Sequence, residues 1–379
     1  MLSFGEPWPE YNDGIYYRDV LSPSDEGSTL IEYYRRKYKH SAPLHGWLQR
    51  INNKQVTIDG CIVVNPDTIL RGGTELVYHR LPWKEPDAPY LLEILYEDND
   101  MIALNKPSGL QVLPGGLFQQ RTVLTQLQRH AGSVTTSVCQ EPHPVPVHRL
   151  GRGTSGILLC AKTKLAKSRL AAFFADGTSV LGVCSNKATI VSELSLQSPF
   201  FSADVRLGGW KDDSQLKKRR NITKIYRALV SGIIIDDEVI IEQPIGLVKY
   251  PGVAKGLYVA SPSGKPSLSK VIVLERNMPR NSTLIQVEIQ SGRPHQIRIH
   301  LSFIGHPLIG DPLYVIGGQP KCSSHEFVDE SFAQDGGYQR PERPVPGDCG
   351  YHLHAHHVVF AHPVINEVGI EICSCIIIL

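Results

Sequence analysis

The chain has 379 residues, 41% of them hydrophobic, with 39 Lys and Arg against 37 Asp and Glu for a formal net charge of +2. That apolar share supports a packed core and excludes wholesale disorder, and no apolar run approaches the ~20 residues that span a bilayer. The small total charge conceals segments of opposite sign, so charge is read by segment.

Residues 1–27 carry Arg18 against six acids and read as an acidic N-terminal tail. Residues 28–80 carry eight bases against four acids and read as a compact basic module. In STLIEYYRRKYKH, Leu30, Tyr33, Tyr34 and Tyr38 recur at helical spacing, with Ser28 as a candidate N-cap and Glu32 in the first turn. A second short helix follows Pro43. Gln55–Ile58 and Cys61–Val64 flank Asp59-Gly60, a tight-hairpin signal, and Leu76–Tyr78 closes the unit. Residues 81–90 are acidic, Pro-rich and linker-like.

From residue 91 to 379 strands dominate. LLEILYED, MIALNKP, HPVPVHRL, GILLCAK, KIYRALVSG, LIQVEIQSG, HQIRIHL and HLHAHHVVFAHP read as strands. KLAKSRLAAFFA reads as a helix with Leu165, Leu170, Phe173 and Phe174 as its apolar stripe. Residues 176–222 read as an insertion ending in a basic run at 217–220, and residues 317–350 as a long surface loop. The pattern predicts an α+β fold with a mixed or antiparallel sheet rather than a βαβ series.

Several motifs point to chemistry that their context does not support. Gly151-Arg-Gly153-Thr-Ser-Gly156 matches a dinucleotide fingerprint, yet a β-rich run follows where a helix is required. His352, His354 and His356 alternate on one strand face and could hold a metal, but no carboxylate or thiolate accompanies them, and a polar strand face is the commoner arrangement. Cys160 lies in an apolar run, where inert buried Cys is usual. The eight Cys form no CxxC pair, so neither a zinc site nor a disulfide framework is expected. The acidic N-terminus makes a poor signal or transit peptide, and Cys375 stands one place too early for a prenylation box. Cytosol or nucleus is the expected compartment, with no membrane partner and no metal.

Ser291-Gly-Arg-Pro-His-Gln-Ile-Arg298-Ile-His300 concentrates cations in one stretch read as entering a strand; an inward Arg298 would require an acid or a phosphate. Taken with ALNKPSGLQVLPGG (103–116), VHRLGRGTSGILLCAKT (147–163), KIYRALVSG (224–232), SGRPHQIRIHLSFIGHPLIGDPLY (291–314) and LHAHHVVFAHP (353–363), it resembles the RluA-type RNA pseudouridine synthases. Residues 28–80 resemble the S4 RNA-binding module that often precedes that domain.

The resemblance implies a pseudouridine-synthase fold and a cofactor-free isomerase acting on uridine in RNA, with rRNA, tRNA or another structured RNA as partner. The glycosidic bond breaks, the base turns, and C5 rejoins the sugar. It implies that Tyr226 stacks on the base, that Arg298 holds the catalytic carboxylate, and that Arg149 enters the space of a flipped nucleotide. In the module, Arg35, Arg36, Lys37, Lys39, Arg50, Lys54 and Arg71 are the candidate phosphate contacts.

The catalytic position, however, is vacant. The family's HRLD motif reads HRLG, so Gly151 stands where the Asp belongs, and no acid lies between Glu141 and Asp176. Three expectations follow. A carboxylate from elsewhere does the chemistry, with Asp311 as a candidate although its place in the GDPLY turn suits a structural role better; or the chain is a catalytically inactive RNA-binding pseudoenzyme; or the fold serves an unrelated class of enzyme. A carboxylate within hydrogen-bond reach of Arg298 would favour the first, and an open wet pocket the second.

Overall fold

The computed structural model describes residues 2–39, 41–134, 143–176, 205–209, 222–250, 253–315, 317–321, 348–365 and 368–374. Within these residues three sheets organise the chain: four strands in the N-terminal module, twelve in the large sheet, and a two-stranded ribbon of Ile245–Tyr250 and Val253–Ala260.

In the module, the helix Leu30–Lys37 opens on Thr29 rather than Ser28. The Thr29 side chain accepts from the Glu32 amide, and the Glu32 carboxylate accepts from the Thr29 amide at 2.9 Å, a complete capping box. Its Leu30, Tyr33 and Tyr34 join Trp47 and Ile51 of the helix Leu44–Asn52 in one core. Asp59 and Gly60 both have positive φ, 47° and 79°, closing the Val56–Ile58/Cys61–Ile62 hairpin as the Asp-Gly signal predicts.

Two expectations about the flanks fail. The acidic N-terminal stretch is not a free tail: Ile15–Val20 pairs antiparallel with Glu75–Arg80 of the module, and Ser3–Phe4 pairs with Leu92–Glu97 of the large sheet. Its acids hid a strand because Asp19 faces the module's helices, accepting from the Tyr33 hydroxyl at 2.9 Å and from Tyr38. Nor do residues 81–90 form a loose linker. Glu85 is buried and accepts four N–H bonds, from the Asn12 side chain and the amides of Gln119, Gln120 and Arg121, all at 2.8–2.9 Å. The Trp83 indole donates to Leu117 O at 3.0 Å. Module and large domain are therefore stitched together through their connection.

The large sheet runs, by strand, Ser3–Phe4, Leu92–Glu97, Met101–Lys106, Ser155–Ala161, Leu353–Ala361, Ile222–Ser231, Ser282–Ile289, Ser269–Asn277 and Glu238–Ile241. All named pairs are antiparallel except the central one, where Ser155 and Gly156 lie beside His354 and Ala355 in parallel. This is a mixed sheet with few helices, the α+β class read from the pattern. Gly156 is required at that junction, since a Cβ there would stand 2.2 Å from Ala355 O and its φ is +103°. Because the two central strands run parallel, their N-terminal ends meet at one sheet edge. The loops 147–154 and 348–352 therefore meet as well.

Elsewhere the pattern misled. HQIRIHL is not a strand but the helix Gln296–Phe303, entered through His295 at φ 56°. Seven of its eight residues are buried, so apolar and polar positions alternate without marking an exposed face. HPVPVHRL contributes only the two-residue strand Val145–Pro146. The helix Val123–Val134 was not anticipated. Lys164–Asp176 is a helix, but Leu165 is exposed. Within 176–222, Val205–Gly209 pairs with Val368–Cys373; the basic run 217–220 lies outside the described residues. Among the described residues no helix is long and apolar enough to cross a membrane.

Candidate active site

The loop that carries Gly151 is anchored from below by the Lys106–Gly109 segment. Lys106 is buried, and its ammonium donates to Pro107 O, Leu110 O and Arg152 O at 2.8, 2.7 and 3.1 Å. Burial pulls its pKa down to about 7, while three carbonyl acceptors call for all three N–H bonds of the charged form. Gly109 N also donates to Arg152 O, and the Ser108 hydroxyl donates to Gly153 O at 2.7 Å. Thr154 N closes the turn on Gly151 O at 3.0 Å. The loop is thereby fixed through its backbone, and Arg149 and Gly151 are left exposed at its tip.

From above, residues 348–351 press onto the loop. Gly153 N donates to Asp348 O at 2.9 Å, and a Cβ on Gly153 would stand 2.8 Å from Cys349 Cα and from Tyr351 Cε1. A Cβ on Gly151 would stand 2.8 Å from the Tyr351 hydroxyl, which itself lies 3.3 Å from Thr154 Oγ1. Arg152 holds the Asp348 carboxylate with Nε at 2.8 Å and through its NH2 group. Arg152 also lies over the Phe118 ring at 4.8 Å.

Arg298 does have a carboxylate. Its Nε and an NH2 nitrogen donate to the two oxygens of Asp311, each at 2.7 Å, in a bidentate fork. The Arg298 and Asp311 side chains are 2% and 0% exposed. One Asp311 oxygen also accepts the amides of Leu313 and Tyr314 at 2.9 and 3.1 Å. The guanidinium lies over the Tyr351 ring at 4.3 Å. Asp311 is thus a sealed structural partner that no sugar can reach. Tyr226 is half-buried between two core clusters, one holding Leu150 and the other Tyr351, and burial raises its phenol to about 12, keeping it neutral.

The expected RNA-contacting residues divide. Arg35, Lys39, Lys54 and Arg71 are exposed. Arg36 and Lys37 are also exposed but engaged, by Asp25 and by Asp19 respectively. Arg50 is turned inward: it is buried, lying over the Trp47 and Tyr78 rings at 4.5 and 4.9 Å, so it stabilises the module's core rather than meeting phosphate. Of the three alternating His, His354 and His356 are buried and share Ser374 O as a hydrogen-bond partner, whereas His352 precedes the strand and is exposed.

The packing over Gly151 gives a direct test. The backbone there needs no positive φ, so a side chain is refused chiefly by the Tyr351 hydroxyl, with Thr154 Oγ1 at 3.3 Å a lesser crowding. Gly151→Asp is expected to cost about 1–3 kcal/mol from overpacking. Adding Tyr351→Phe should recover most of that loss in thermal unfolding, a non-additive pair. A single variant as stable as the parent would show that the ring yields freely.

The description RNA pseudouridylate synthase belongs to the family model that matches residues 100–180 and 211–303, leaving an interval inside the expected insertion unmatched. RNA pseudouridine synthase 5 of Arabidopsis thaliana is 61% identical over 359 residues, 93% of this chain and 90% of that protein. RNA pseudouridine synthase 5 of Oryza sativa subsp. japonica is 59% identical over 376 residues, 97% and 88% of the two chains. Ribosomal large subunit pseudouridine synthase D of Vibrio parahaemolyticus is 29% identical over 321 residues, 83% and 77%. The chain belongs to the RluA-type family of RNA pseudouridine synthases, a family of isomerases.

Proposed function

We propose that this protein isomerises uridine to pseudouridine in a structured RNA. The observation that carries the reading is the 61% identity, along 93% of the chain, to a protein named RNA pseudouridine synthase 5. The site agrees with it in its supports: a loop fixed through its backbone, an exposed Arg149 at its tip, and a neutral Tyr226 against the core cluster that holds Leu150. Arg149 fills the stack when the target nucleotide turns out, and Tyr226 offers its ring to the uracil. The exposed bases of the module hold the phosphates.

A second reading, an RNA-binding protein of the same fold without turnover, is favoured by one observation. The loop has no carboxylate at Gly151, and Asp311 is sealed against Arg298. Tritium release from RNA labelled at C5 of uridine separates the two. Release by the purified chain supports the isomerase, and its absence across rRNA and tRNA substrates leaves the binder.

RNA affinity should fall steeply with salt under either reading, as phosphate contacts release counterions. Replacing Arg35, Lys54 and Arg71 together with Ala is expected to flatten the slope of log K against log salt by roughly 2. Arg50→Ala should instead lower the melting temperature. An unchanged slope in the triple variant would take those residues out of the interface.

A further inference from the structure

We infer that Asp348 supplies the carboxylate that acts on the sugar, in place of the one missing at Gly151. The inference rests on the proposed isomerisation. It begins from the pair of carboxylates that the described residues bring to this sheet edge. Asp311 is closed off, with a side chain 0% exposed and its oxygens committed to Arg298 and two amides. The Asp348 side chain is 24% exposed, and among the described residues its carboxylate bonds to Arg152. A carboxylate accepts about four hydrogen bonds, so a fork from one guanidinium leaves outward lone pairs on Asp348.

Its placement is fixed from three directions. The Asp348 carbonyl accepts the Gly153 amide, so the residue is bonded to the catalytic loop itself. The guanidinium that grips its carboxylate belongs to the residue next to Gly151, and that residue's own carbonyl is held by Lys106 and Gly109. Cys349, the next residue along, is within electrostatic reach of Arg152, Lys106 and Arg298, so the segment lies over the cationic end of the site. Both loop glycines match this arrangement. A side chain at 153 would strike the backbone of 348 and 349, and one at 151 would strike Tyr351. The loop has given up its side chains where residues 348–351 fill the space. The carboxylate now enters from the facing segment, held by a preorganised arginine.

The chemistry balances with no further reactant. Asp348 takes the C2′ proton as the C1′–N1 bond breaks, and that bond's electron pair leaves on the uracil. After the base turns, the carboxylic acid returns its proton to C2′ and C5 bonds to C1′. The C5 proton passes to water and N1 takes one from water, giving an isomer. Arg152 is a positioning residue for the carboxylate and does not touch the sugar.

The test measures tritium release from uridine-labelled RNA together with RNA affinity and thermal unfolding, for the full chain, Asp348→Asn and Arg152→Gln. Asp348→Asn should lower release by ~100-fold or more with affinity and melting close to the parent. Arg152→Gln, which keeps the carboxylate but loosens it, should show a smaller loss. Asp348→Asn retaining half the parental rate overturns the assignment while leaving the isomerase reading intact. Equal loss in both variants with equally lowered melting also overturns it, because the pair would then be structural. A parent chain that releases no tritium from any RNA refutes the isomerase reading, and this inference with it.

Discussion

Asp311→Asn is expected to lower the melting temperature by roughly 10 °C, from a stability loss of about 3–5 kcal/mol. The reason is the asymmetry of a buried ion pair. Arg298 and Asp311 are both almost wholly out of water, so their attraction is offset by the cost of desolvating two charges. Removing one charge leaves the other's desolvation cost unmet and takes the bidentate carboxylate from a buried guanidinium that lies over the Tyr314 and Tyr351 rings, at 5.0 and 4.3 Å. The Asn side chain can still accept one N–H, but it turns an N–H of its own toward donors that the carboxylate satisfied. A double variant, Arg298→Met with Asp311→Asn, should recover part of the loss because no buried charge remains. Thermal unfolding of the three proteins decides it. An Asp311→Asn protein that melts with the parent would mean that water reaches Arg298, reopening the wet-pocket alternative.

That pair also marks the limit of what the sequence could say about the site. The need of an inward Arg298 for an acid was legible from residue chemistry, and Asp311 lies 13 positions on, close enough to be considered. Its sealing was not legible, because it depends on the Leu313 and Tyr314 amides turning back onto the same oxygen. Asp348 and Tyr351 were invisible for a different reason. They lie nearly 200 positions beyond Arg152 and Thr154, and only the parallel register of Ser155 with His354 brings the two loops together. Fold class survived better, since alternation over long strands such as Ile222–Ser231 is a local property. It failed at Gln296–Phe303, where burial on all sides removes the contrast that marks a helix. Arg50 shows the same blindness in charge: a base reads as a phosphate contact until its stacking on Trp47 is seen.

Acid should unfold this protein well before its carboxylates are protonated. Burial holds His148 near 3 and His300, His354 and His356 near 4, against an ordinary value of 6.5. Burial disfavours the charged ring at all four, and at His148 the hydrogen bonding also requires the neutral form. His148 Nε2 accepts the Leu159 amide at 3.0 Å, and His300 donates to Gln243 O at 2.9 Å while its Nδ1 has no hydrogen-bond partner among the described residues. Above pH 6.5 folded and unfolded chains bind the same number of protons at these rings, and no stability is lost. As pH falls through 6.5 the unfolded chain takes up protons that the folded one refuses, so stability drops by about 1.4 kcal/mol per pH unit for each group fully in this regime. The loss continues toward the folded values near 4 and 3. Melting temperature measured from pH 7.5 to 4.5 should therefore fall monotonically and steepen below 6.5. His354→Gln, which cannot take up the proton, should flatten the curve. A melting temperature indifferent to pH across that range would mean that these rings take up protons as readily in the fold as in the unfolded chain. Because His148 stands one residue before the exposed Arg149, the loop that meets RNA is tied to this acid-sensitive core, and RNA binding should weaken over the same pH interval.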